Sequence, residues 1–261
     1  MSSSFDPVEF VEQLKELLAR LPIDVEAFEL SKASLTRLRR DIQSAVEVLL
    51  RLGRHLDPIR QPPSVLDPSD PRVIGQLIAR TLLEQPMRPL GLRESFYGSG
   101  VYAIYYAGPF SPYKRISGRN HPMYVGKADP ESPDAKTVEE QGPRLARRLM
   151  EHAKSIRYAE NLSVEHFTCR YLVVKSAWQR TAEEYLIDRF RPVWNSEMGV
   201  CYGFGKHGDK STTRRNTRSP WDTLHPGRPW ASDSSNVPNP KSPEQISREI
   251  VSHLKKIRAD E

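Results

Sequence analysis

The stretch Gly100 to Ala107, GVYAIYYA, read with Tyr124-Val125-Gly126-Lys127-Ala128, constrains the fold of this chain more than any other. Both read as short strands, because β-branched and aromatic residues suit a pleated surface. In the first, Val101, Ala103 and Tyr105 alternate with Tyr102, Ile104 and Tyr106 on opposite faces. On neighbouring strands, Tyr102 and Tyr124 would face one pocket.

The flanking pattern is helical. Leu14, Leu17, Leu18 and Leu21 follow an i, i+3, i+4, i+7 stripe, which predicts a helix over 5–21 ended by Pro22. A second helix is predicted over 31–52, capped by Ser31 or Ser34, striped by Leu35, Leu38, Ile42, Ala45, Val46 and Leu49, and stopped by Gly53. Pro58, Pro62, Pro63, Pro68 and Pro71 then predict an extended linker, with a helix over 71–84 behind it. After the two strands comes an acidic surface loop, 129–140. A basic helix is predicted over 144–157, a strand over 166–174 and a helix over 177–190. The tail reads as ordered loop, WDTLHPGRPWA included, until a last helix over 243–258 that opens on a capping box at Ser242. The chain thus divides into an N-terminal helical arm (1–56), a Pro-rich linker with a helix (57–97), a core (98–196) and a basic loop with a C-terminal helix (197–261).

Composition bounds the function. Lys and Arg number 39 against 33 Asp and Glu, a net charge of +6, which permits a polyanionic partner. The excess is concentrated in the tail, at Lys206, Lys210, Arg214, Arg215, Arg218 and Arg228. No run of about 18 apolar residues predicts a membrane span, and no basic segment followed by an apolar stretch predicts a secretory leader. Cys169 and Cys201 form no CxxC pair and are expected to be reduced thiols in a cytoplasmic protein.

Gly100-Val101-Tyr102, Tyr124-Val125-Gly126, Arg148, Glu183, and Asn195 just after Arg191-Pro192 together resemble the GIY-YIG nuclease domain, in that order over residues 98–196. Val stands for Ile in both triplets and keeps a β-branched core residue. The tail, with Gly203-Phe204-Gly205 and WDTLHPGRPWA, resembles the type II restriction endonuclease branch. The resemblance implies an α+β fold: a small three-stranded sheet, mixed or antiparallel, flanked by helices, with N-terminal helices and a loop-rich C-terminal extension. It also implies a homodimer cutting both strands of double-stranded DNA at a GC-rich palindrome, and a cognate DNA methyltransferase as functional partner.

The chemistry accounts for these residue types. Hydrolysis of a phosphodiester needs an attacking water, countercharge for the phosphate and help for the departing oxygen. Glu183 is the expected ligand of one Mg2+ per site, with Mn2+ able to substitute, since Mg2+ keeps most of its waters and needs few carboxylates. Glu184 stands beside it as the alternative. Arg148 is expected to fork onto the phosphate oxygens. Tyr102 is the expected base, and its phenol, with a free pKa of about 10, needs the cations of Arg148, Lys127 and the metal to ionise. His152, one turn after Arg148 on the same helix face, is placed to take the tyrosine proton; whether Tyr102 or His152 is the proximal base stays open. Tyr124 and Asn195 are expected to bind phosphate, hold water or fix the architecture. Arg115, Arg119, Arg214, Arg215, Arg218 and Arg228 are candidate readers of guanine edges, and Lys206 and Lys210 candidate phosphate contacts.

Rival chemistry finds no support in the sequence. No Glu is followed two places on by Lys, as a PD…ExK nuclease requires, and Asn120-His121 stands apart from any HNH pattern. Two readings compete with restriction: a structure-specific or repair-type nickase, and a DNA-binding protein that kept the fold and lost cleavage.

Overall fold

In the structure, a computed structural model, residues 6–20, 32–56, 59, 65–91, 94–174, 178–205, 217–232 and 237–257 are described. The chain divides into two compact units, Met1–Val65 and Leu66–Glu261. The first holds α1 (Pro7–Ala19) and α2 (Lys32–Leu56). Asp6 caps α1, its carboxylate accepting from the Val8 amide at 2.8 Å. Helix α2 runs past the expected stop at Gly53 to Leu56, because an interior glycine costs a helix only about 1 kcal/mol relative to alanine. Pro22 and Ser31, the expected stop and one expected cap, lie outside the described residues.

The second unit is built on a four-stranded antiparallel sheet of order β1-β4-β2-β3. Its strands are β1 (Arg88–Pro89), β2 (Gly100–Tyr106), β3 (Tyr124–Ala128) and β4 (Phe167–Val173). The two-residue β1 was not expected. A proline can sit only on a sheet edge, and β1 is the edge beyond β4. Helices α3 (Pro71–Glu84), α4 (Arg144–Tyr158), α5 (Gln179–Phe190), α6 (Pro220–Leu224) and α7 (Pro243–Lys256) complete this unit among the described residues. Short α6 replaces the expected loop at WDTLH: Ser219 caps it by accepting from the Asp222 amide at 3.1 Å, and Pro220 fills its first turn.

The alternation read in GVYAIYY organises both sides of the sheet. Tyr102, Ile104 and Tyr106 pack with Leu145, Leu149 and Ile156 of α4, and with Phe204, Trp221 and α7, in one buried cluster. Val101, Ala103 and Tyr105 pack with Ala79 and Leu82 of α3 and with Ala182, Leu186 and Phe190 of α5 in another. Helix α3 therefore belongs to the core rather than to a linker. Strand β2 is buried on both faces along its whole length, whereas β3 leaves its outer edge open to side chains. That edge is where the site forms. No helix among the described residues is long and apolar enough to cross a membrane.

Candidate active site

Tyr102 and Gly126 are paired residues of β2 and β3. The Tyr102 phenol lies across the Gly126 position, so a Cβ there would collide with its Oη. The glycine of Tyr124-Val125-Gly126 is thus the space in which the Tyr102 side chain lies.

Helix α4 brings the next groups. Its buried stripe of Leu145, Leu149, His152, Ala153 and Ile156 turns His152 into the sheet, where Nε2 lies 2.6 Å from Tyr102 Oη. Both side chains are fully buried. Tyr124 stands over the pair, its ring centroid 5.2 Å from that of His152 and 6.2 Å from that of Tyr102. One turn earlier, Arg148 is half-buried. Its Nη1 donates to Glu151 at 3.1 Å and its Nη2 to the Gly205 carbonyl at 3.0 Å.

Burial pushes the Tyr102 phenol well above 10. The negative charge that Tyr124 would carry adds to this, and Arg148 opposes it without cancelling it. Tyr124 is raised for the same first reason, with Arg148 again opposing. For Arg148, burial works against the charge, but the neighbouring phenols outweigh it and the guanidinium is held more firmly protonated. Arg148 alone therefore does not offset the burial of the Tyr102 phenol. Its hydroxyl lies within hydrogen-bond distance of the His152 imidazole.

Glu183 approaches from the other face. Along β3, Tyr124 packs with the cluster of α4 while Val125 belongs to the cluster of α5. The site therefore straddles the edge strand. Burial raises the Glu183 carboxyl to about 7; the Lys127 charge pulls the other way, and Glu197 and Asp129 push further up. Lys127 itself pairs with Asp129. Glu184, in contrast, has a 63% exposed side chain and pairs with Arg180 at 2.9 Å. Of the two carboxylates, Glu183 is the one at the site.

Asn195 has a different place from the phosphate or water contact that was one expectation. Its Oδ1 accepts from the Val125 amide at 3.0 Å and its Nδ2 donates to the Val125 carbonyl at 2.9 Å. It occupies the open edge of β3 as a neighbouring strand residue would, which makes it a clamp on the strand that carries Tyr124.

The DNA-contact candidates separate. Arg119 is exposed, and Arg115, also exposed, donates to the Ile257 carbonyl at 3.5 Å. Arg218 is half-buried and donates to the Ala231 carbonyl at 3.1 Å. Arg228 is a correction: its side chain is fully buried against Asp222, 2.6 Å away, and faces no surface where DNA could lie. Lys206, Lys210, Arg214 and Arg215 lie outside the described residues. Sequence reading missed a polar cleft of ≈ 350 Å³ beside the site, lined by Lys127, Asp129, Arg144, Arg147, Arg148 and Glu151. The basic face of α4 was its signal. Also missed was Phe204, whose ring lies parallel to that of His152 at 4.6 Å.

Two strands carrying Gly100-Val101-Tyr102 and Tyr124-Val125-Gly126, packed between helices that deliver Arg148, His152 and Glu183, define a nuclease domain of the GIY-YIG class. The family model for the Eco29kI GIY-YIG domain matches residues 94–254, more than half of the 261-residue chain. The chain belongs to that family. No curated protein matches it.

Proposed function

We propose that this nuclease is a type II restriction endonuclease that cuts both strands of double-stranded DNA at a GC-rich palindromic site. The observation that carries the reading is the buried Tyr102–His152 contact of 2.6 Å, beside Arg148 and across the edge strand from Glu183, in a chain whose family is one of restriction enzymes. A two-fold dimer would match a palindrome, and a cognate DNA methyltransferase would protect the host's own sites. The expected compartment is the cytoplasm.

Tyr102 is the base in this mechanism, and His152 makes it one. As the Tyr102 oxygen takes a proton from the attacking water, the phenol's own proton passes to His152 Nε2. The water oxygen bonds to phosphorus, the bond from phosphorus to the 3′ oxygen breaks, and that oxygen leaves as a hydroxyl after taking a proton from solvent. The positive charge gained by His152 balances the proton removed from the water. Arg148 exchanges Glu151 for the non-bridging phosphate oxygens, to which a guanidinium fork is matched. Lys127 and the arginines of the cleft hold the strand in register.

Glu183 fits a hard cation. It is a half-buried carboxylate raised to about 7 by burial and by the carboxylates Glu197 and Asp129 near it, an arrangement that a divalent ion would relieve. No cluster of three or more His, Cys, Asp and Glu that could hold a metal occurs among the described residues. Mg2+ takes one or two carboxylates and keeps its waters, so Glu183 would suffice as its protein ligand. Bound by Glu183, it would supply countercharge to the leaving oxygen.

Digestion of a large, sequenced, unmethylated GC-rich DNA with Mg2+ tests the proposal, alongside EDTA and Glu183→Ala controls. Discrete fragments lost in both controls are the expected result. Nicking without discrete fragments would replace restriction with a structure-specific role. Intact DNA with binding retained would replace cleavage with binding alone.

A further inference from the structure

An arginine in a tryptophan-, proline- and glycine-rich segment ordinarily keeps its charge in water and buries only its stem. Arg228 does the opposite, with a side chain that has no exposure at all. Its Nε donates to Asp222 Oδ1 at 2.6 Å, its Nη1 to the Phe204 carbonyl at 3.1 Å and its Nη2 to the Gly203 carbonyl at 3.0 Å. The guanidinium carbon also lies 4.4 Å from the centre of the Trp221 ring and 5.2 Å from that of Trp230. Asp222 is held in turn by the Ser219 hydroxyl at 2.6 Å. A buried ion pair is rarely worth more to stability than apolar residues of the same volume. What this one does that an apolar pair cannot is bind two consecutive backbone carbonyls and so fix a turn.

The turn it fixes is the one that touches the active site. Gly203 has φ +109, a conformation open to glycine, and packs against Ser219. Phe204 then lies parallel to the His152 imidazole, at 4.6 Å and 18°, and edge-on to Tyr124 at 5.2 Å. Gly205 presents its carbonyl to Arg148 Nη2 at 3.0 Å. Two groups used by the chemistry, His152 and Arg148, are therefore oriented from one anchored turn. The imidazole plane decides where Nε2 points, and Nε2 must point at Tyr102. The Gly205 carbonyl holds one nitrogen of the Arg148 guanidinium and so sets the plane of its fork.

We propose that Arg228 is a positioning residue for the cleavage reaction, acting through the Gly203-Phe204-Gly205 turn on His152 and Arg148. This rests on the nuclease reading for its kinetic consequence, though not for its structural one. A lysine at 228 keeps the charge beside Asp222, but one ammonium lacks the fork that reaches a carboxylate and two carbonyls together.

The test uses the full-length chain with Arg228→Lys and Phe204→Leu. Without DNA, the His152 ring protons, assigned by their loss in His152→Gln, carry the ring-current shift of the stacked Phe204. Folded Arg228→Lys is expected to lose much of that shift, while ring-shifted protons of the Tyr113–Trp194 contact stay in place. On plasmid DNA with Mg2+, both variants are expected to cut about 10- to 100-fold more slowly in single turnover, the scale of a small misplacement of reacting groups, with gel-shift affinity unchanged. A folded Arg228→Lys with wild-type His152 shifts, or with wild-type single-turnover rates, overturns the proposal. If Arg228→Lys does not fold, Phe204→Leu decides, and a wild-type rate there overturns it. If the wild-type protein cuts nothing, the nuclease mechanism fails, and the His152 shifts still decide whether Arg228 sets the turn.

Discussion

Replacing Glu183 by glutamine should make the protein more stable and inactive at once, and the gain should appear only at higher pH. Raising a carboxyl from the usual 4.5 to about 7 corresponds to about 3 kcal/mol at about 1.4 kcal/mol per tenfold. Solvent at this half-buried position trims that to about 2 kcal/mol. The sign follows from proton counts. Between pH 4.5 and 7 the folded wild-type protein holds a proton on Glu183 that the unfolded chain has lost, so wild-type stability falls as pH rises through this window. Glutamine does not titrate, and its Oε1 keeps an acceptor where the carboxylate had one. Urea unfolding in metal-free buffer should therefore find the two proteins equal near pH 4.5, and Glu183→Gln about 2 kcal/mol more stable at pH 8. Mg2+ at pH 8 should then stabilise the wild-type protein and leave the variant unmoved, since only a state that binds a ligand gains from it. A stability difference that is the same at both pH values would refute the electrostatic account of Glu183. A variant stabilised by Mg2+ as much as wild type would refute its role in holding metal.

Tyr102→Phe removes the hydroxyl that faces His152 and should slow single-turnover cleavage by about 10²- to 10⁴-fold, the usual worth of a positioned acid–base group, with gel-shift affinity retained; near-normal cleavage alongside an inactive His152→Ala would move the base to His152. Gly126→Ala puts a methyl where the Tyr102 phenol lies and should cost about 1–3 kcal/mol, read as a lowered melting temperature together with lost cleavage. Asn195→Ala abandons both backbone bonds to Val125 and should cost about 2–3 kcal/mol, while the protein still folded at low temperature should cut at close to the wild-type rate; a full loss of rate with unchanged stability would return Asn195 to the chemistry. Arg119→Ala should weaken DNA binding and flatten its salt dependence by about one ion, whereas Arg228→Ala should act on melting temperature first.

Much of the site was legible because it obeys local periodicities. The period of two in GVYAIYY put Tyr102 on the face opposite Val101 and Ala103, and that is how the two cores divide. The four-residue interval between Arg148 and His152 put both on one side of α4. Three places at the site where the sequence left alternatives open or misled share a cause. Glu183 and Glu184 are consecutive on a helix, about 100° apart, and either could have faced the site; only the packing of α5 against β3 turned one inward and left the other to Arg180. Asn195 offered phosphate, water or architecture equally, because nothing local says that the next available backbone is the unpaired edge of β3. Arg228 read as a DNA contact because a loop arginine in a basic tail is ordinarily solvated, and only the arrival of Asp222 and two carbonyls from the 203–204 turn makes its burial tolerable. The sequence by itself determined on which strand or helix most of the candidate residues lie and which of them share a face, since those are consequences of backbone period. The tertiary structure decided which of them meet, and which charges are buried to hold the others still, since those depend on neighbours brought in from distant parts of the chain.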